Sequence, residues 1–72
     1  MLLTDQHGNY IELNTFLKIK GMADTGGQAK HLIRSEKVKV NNEIETRNKK
    51  KLRNNDKVKI NNQEFIVNFS DL

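Results

Sequence analysis

No cysteine occurs among the 72 residues, so a disulfide framework and a thiolate metal site are excluded, and a reducing compartment fits. Long apolar runs are missing as well. Met1-Leu2-Leu3 passes at once into Thr4 and Asp5, so neither a signal peptide nor a membrane span is expected, and the chain reads as soluble and cytoplasmic. Aromatic side chains are few: Tyr10, Phe16, Phe65 and Phe69 have core positions to fill, which leaves little for stacking on single-stranded bases. Catalytic constellations are also absent. His31 is a lone histidine on a helix face with no serine, cysteine or carboxylate placed by sequence to serve it, and His7 beside Gly8 reads as a turn residue rather than a ligand. Glu43 and Glu45 share one face of a strand, which is ordinary hairpin solvation. Gly26-Gly27 lacks the spacing and the lysine-threonine ending of a phosphate loop. The expectation is therefore no enzyme, no cofactor and no metal.

A chain of this length makes one small domain whose core supplies a few kcal/mol of net stability at most, without a deep cavity. Its charge is segregated. Between Lys30 and Lys59 there are 11 basic and 4 acidic residues, against 2 basic and 5 acidic in the remainder. A basic region on an otherwise mildly acidic protein is the usual footprint of nucleic-acid or anionic-surface binding.

Residues 2–13 suggest a short strand pair or an irregular arm with Gly8-Asn9 as its turn. Leu13, Phe16 and Leu17 then recur at helical spacing, with Asn14 as the expected N-cap and Gly21 where a left-handed C-terminal residue is wanted. Met22 is placed to make the apolar contact that follows such an ending. Thr25-Gly26-Gly27-Gln28 has the form of a capping box opening a second helix, with Asp24 able to share the cap. Its apolar stripe is Ala29, Leu32 and Ile33, which leaves Gly27, Lys30, His31 and Arg34 toward solvent. From Lys37 the period changes to two. Lys37-Val38-Lys39-Val40, Asn41-Asn42 and Glu43-Ile44-Glu45-Thr46 spell a hairpin, and the same phrase returns 20 residues later from Lys57, after a turn at Asn54-Asn55-Asp56. The fold class expected is α+β: two short N-terminal helices, arranged like a helix-turn-helix, on a small, mostly antiparallel sheet of two hairpins.

Two stretches could meet phosphate. Backbone donors at the second helix start, with no side chain on Gly26 or Gly27 to hold a ligand off, form a ready anion site beside Thr25, Lys30, His31 and Arg34. Lys30 and Arg34 are like charges at i,i+4, and a bound anion would relieve their repulsion. A solvated face with glycines serving only the turn is the alternative. Arg47-Asn48-Lys49-Lys50-Lys51-Leu52-Arg53 holds five cations in seven residues. Run out as a strand with Leu52 inward, it lines Arg47, Lys49, Lys51 and Arg53 over about 20 Å, with Lys50 on the Leu52 face. A solubilising loop or an edge-strand guard is the alternative there. The phosphate reading requires both stretches to form one continuous positive surface, free of neutralising acidic groups.

Leu13, Leu17, Gly21, Thr25, Ala29, Leu32-Ile33, Val38-Lys39-Val40-Asn41 and the Asn55-Asp56 turn together resemble the small RNA-binding module named after ribosomal protein S-four, with its alpha-L motif. Phe16-Leu17-Lys18, the stretch from Thr25 to Lys30, and Glu45-Thr46-Arg47 are similar to its stand-alone bacterial subgroup of YaaA and YbcJ type. The resemblance spans about residues 12–60 and implies a single RNA-binding domain over 1–72. Structured RNA is the implied partner, in particular ribosomal RNA or a ribosomal subunit, and the implied role is a monomeric ribosome assembly or ribosome-associated factor. Arg47, Lys49, Lys50, Lys51 and Arg53 join Lys30 and Arg34 as implied contacts. Glu12 and Gly26 stand where many members carry arginine, so those two contacts are not implied here. Glu36 stands where glycine is common, implying strain or a different ending for the second helix. A protein-interaction module with a basic solubilising surface is the other reading, and sequence-independent DNA binding a third, disfavoured by helices too short to read a major groove.

Overall fold

The computed structural model describes residues 2–72. A hairpin comes first, β1 (Leu3–Asp5) and β2 (Gly8–Glu12), and runs directly into α1 (Leu13–Ile19) and then α2 (Gly26–Arg34). Five strands follow: β3 (Val38–Val40), β4 (Glu43–Ile44), β5 (Lys51–Leu52), β6 (Lys57–Ile60) and β7 (Gln63–Ile66), with a 3-10 turn at Phe69–Asp71. The class is α+β as expected; of the two readings for residues 2–13 the strand pair forms, so the helices are not N-terminal, and there are two antiparallel sheets in place of one. One is ordered β1-β2-β5 and the other β4-β3-β6-β7.

Alternation of the chain explains the larger sheet. Val38, Val40, Val58 and Ile60 point to the core while the intervening lysines are exposed, as a period of two requires. Both hairpins turn on asparagine pairs with positive φ, 51° and 71° at Asn41-Asn42 and 53° and 63° at Asn61-Asn62, the tight geometry whose twist matches the flanking strands. The first hairpin turns elsewhere than expected. Gln6-His7 form the reversal, the His7 amide donates to Asp5 Oδ1 at 2.9 Å, and Gly8-Asn9 already lie in β2.

Helix ends follow the sequence signals at three of four places. Gly21 takes φ 75°, and the Met22 and Gly21 amides donate back to the Leu17 and Lys18 carbonyls at 2.9 and 3.1 Å, which closes the orphan carbonyls of α1. α2 ends the same way around Glu36, at φ 63°, with Lys37 and Glu36 donating to Leu32 and Ile33. The ending is thus kept and the glutamate bears the left-handed strain. At the start of α2, Thr25 Oγ1 accepts from the Gln28 amide at 3.1 Å, and Gln28 Oε1 accepts from the Asp24 amide at 2.7 Å. The α1 start is the exception: Glu12, not Asn14, precedes it, without a side-chain cap. The Leu13 and Asn14 amides instead donate to the Lys50 and Asn48 carbonyls at 2.9 and 3.1 Å, while Asn14 Oδ1 accepts from Thr15. A distant loop does what a side chain was expected to do.

Both sheets and both helices share one apolar cluster. Ile11, Leu13, Phe16, Leu17, Ile33 and Leu52 are completely buried in it, and Phe65 meets Phe16 edge-on, ring centres 6.3 Å apart. Among the described residues no buried polar or charged side chain interrupts this core.

Candidate nucleic-acid interface

The basic run does not extend into a rail. Only Lys51 and Leu52 are strand; Asn48-Lys49 form a turn that the Lys50 amide closes by donating to the Arg47 carbonyl at 3.2 Å. The cause is the cap just described. With the Asn48 and Lys50 carbonyls held against the first amides of α1, the loop must fold back over the helix start. Leu52 is buried as expected and anchors the arm in the core. The result is a concavity of about 690 Å³ around which Arg47, Lys49, Lys50, Lys51 and Arg53 converge with Asn41 and Asp56.

Acidic groups reach three of these five cations, contrary to the requirement set by the sequence reading. Asp5 accepts from Arg53 Nη2 at 2.9 Å and from Lys51 Nζ at 2.8 Å, and its side chain is 17% exposed. The Arg53 guanidinium first, and the Lys51 ammonium second, hold the Asp5 carboxyl far below the usual carboxylate range. Arg53 Nη1 also donates to the Gly8 and Asn9 carbonyls at 3.2 and 3.1 Å, and both cations lie over the Tyr10 ring, at 4.8 Å for Lys51 and 5.3 Å for Arg53. Arg53 therefore fastens the first hairpin to the far end of β5. Glu45 binds Arg47 through both oxygens, at 2.9 and 3.0 Å, and that hydrogen-bonded guanidinium lowers the Glu45 carboxyl to about 2. Its role is an ion pair, not plain hairpin solvation.

Lys49 and Lys50 enter no ion pair among the described residues, and Arg47 and Lys51 keep 71% and 50% of their side chains exposed despite theirs. The concavity thus retains positive charge, reduced from what the sequence alone suggested.

Lys30, His31 and Arg34 are exposed on α2, and Ala29 and Ile33 bury the opposite stripe. None of the α2 residues, nor Thr25, lines the concavity of the basic loop. The amides of Gly26 and Gly27, the first two residues of α2, have no intrahelical acceptor. A Cβ added at Gly26 would meet nothing within 4 Å, and one at Gly27 only Thr25 Oγ1 at 3.9 Å. Folding does not demand glycine at either place.

Asp5 was invisible to sequence reasoning because it lies 46 and 48 residues from its partners. Glu45 and Arg47, two residues apart in an extended segment and so on one side of the chain, could have been paired by alternation. The Lys-Val-Lys phrases also placed Lys39, Lys57 and Lys59 on one sheet face, with Lys37 just before it. A family model described as the S4 domain matches residues 5–68, whereas no curated protein and no solved structure matches the chain significantly.

Proposed function

The chain belongs to the S4 domain family, whose domains bind RNA, and we propose that it binds structured RNA as one domain over residues 1–72. Ribosomal RNA is the proposed target, and a cytoplasmic role in ribosome assembly or on the ribosome follows from it. The observation that carries this reading is the family match over 5–68; the convergence of five cations on one concavity supports it.

Contact is assigned by what is free to make it. Lys49 and Lys50 are the strongest candidates in the loop, since an incoming phosphate displaces no carboxylate there. Arg47 and Lys51 share their charge with an internal partner and contribute less. Arg53, tied to Asp5 and two carbonyls, acts mainly by holding the loop in place. Thr25, Gly26, Gly27, Lys30, His31 and Arg34 offer the second contact, amides and cations around one helix start. Readout by shape and phosphate fits a surface poor in free aromatic rings.

Titration of affinity against salt for a structured ribosomal RNA fragment tests the assignment. Each duplex-like phosphate contact adds about −0.9 to the slope of log affinity against log salt. Changing Arg34, Lys49 and Lys50 to alanine should flatten the slope by about 2 to 3 and leave the melting temperature in place. An unchanged slope removes these residues from the interface, and equal affinity for a DNA duplex of the same sequence removes the preference for RNA.

A further inference from the structure

The outer face of the four-stranded sheet carries a second cationic surface that the S4-type reading does not use. Lys39 and Lys59 are direct cross-strand partners on β3 and β6. Lys57 lies diagonally beside them on β6, Lys37 immediately precedes β3, and all four are exposed. By strand geometry their Cα atoms are about 5 Å apart across the pair and about 7 Å apart along each strand. Among the described residues none of the four enters an ion pair, although Glu64 lies opposite Lys59 on β7. Beside the pair, Lys37, Lys39 and Lys59 border a shallow depression of about 210 Å³ that Glu36 also lines.

Like charges placed directly opposite are destabilising in a sheet. Four ammoniums that enter no ion pair among the described residues suit a polyanion, whose condensed counterions they would release on contact. An apolar occupant fits poorly. The exposed isoleucines of this face, Ile44 and Ile66, stand on the edge strands β4 and β7, three strand spacings or about 14 Å apart. The lysines lie between them, so no contiguous greasy patch forms.

We propose that the Lys37, Lys39, Lys57 and Lys59 face is a second phosphate-contact surface, which lets one protein molecule hold two RNA segments together. This rests on the RNA-binding reading of the helices and basic loop, which supply the first contact. The sheet thereby makes the protein a clamp between helical segments instead of a simple adhesive on one.

Two RNA duplexes of about 12 base pairs, just over one helical turn, one carrying an energy-transfer donor and the other an acceptor, provide the probe. The wild-type protein brings them together, and the transfer falls again when excess protein gives each duplex its own molecule. Lys39→Gln with Lys59→Gln abolishes the transfer while binding to a single duplex persists and the melting temperature stays equal or rises, since repulsion has been removed. Transfer that survives the double substitution overturns the inference, as does wild-type transfer that light scattering traces to a protein dimer formed without RNA. Loss of single-duplex binding in the same variant also overturns it, because the lysines would then belong to the first contact. A wild type that binds one duplex without any transfer removes the sheet surface alone. A wild type that binds neither duplex removes the RNA reading from which both follow.

Discussion

Replacing Gly26 and Gly27 together by alanine sets stability and binding in opposite directions, and so tests the helix-start contact without relying on charge. Both residues lie in α2 with ordinary negative φ, and the added methyls meet nothing closer than 3.9 Å. Each substitution restricts the unfolded chain and should stabilise by about 0.4–1 kcal/mol. The pair then gives roughly 1–2 kcal/mol, and at about 4–8 °C per kcal/mol for a domain of this size the melting temperature should rise on the order of 5–10 °C. If the Gly26 and Gly27 amides donate to phosphate, the same methyls hold the ligand off. One lost charge-assisted hydrogen bond at about 1.5 kcal/mol lowers affinity about tenfold. Thermal unfolding by circular dichroism and RNA titration at fixed salt read the two effects on the same sample. A fall in melting temperature would refute the open environment assigned to these glycines. A stabilised variant with undiminished affinity would refute the amide contact.

Glu36→Gly relieves a left-handed residue that costs about 1–2 kcal/mol; after the greater freedom of glycine in the unfolded chain is subtracted, about 0.5–1 kcal/mol of stabilisation should remain. Urea denaturation measures it, and a destabilised variant refutes the strain at Glu36. Folding depresses the Asp5 and Glu45 carboxyls below their ordinary values of 3.8 and 4.5, so the stability they give is complete above those values and is lost as pH falls through them. For Glu45 that window runs from 4.5 down to about 2; Asp5→Asn with Glu45→Gln should flatten the acid limb of melting temperature against pH, and an unaltered limb refutes the two ion pairs. Asp5→Asn alone releases Lys51 and Arg53, so RNA affinity should rise and the salt slope steepen by up to about 0.9 per phosphate gained. Weaker binding would show instead that Asp5 serves the interface by positioning those cations.

Local patterns with a short-range cause were legible in the chain. Valines alternating with lysines, asparagine pairs at the turns, Thr25 with Gln28 at a helix start and Gly21 at a helix end each act within a few residues, through sterics or a single hydrogen bond. Their outcomes could therefore be read before any tertiary contact was known. The order of residues from Leu13 to Asp56 carried the family as well. Asn14 failed as a cap for a different reason: the first amides of α1 found acceptors at Asn48 and Lys50, more than thirty residues along the sequence.

What the sequence determined by itself, then, was the two helices, the two asparagine-turned hairpins, the α+β class and the sign of the charge, whereas the extended basic rail and the single sheet it suggested did not form. Only the tertiary structure decided how much of that charge is free. Coulomb attraction and hydrogen bonding depend on distance in space, and folding the first hairpin against β5 brings Asp5 to Lys51 and Arg53. The same closure bends the basic run over the start of α1, so among the described residues Lys49 and Lys50 enter no ion pair while three of their neighbours do.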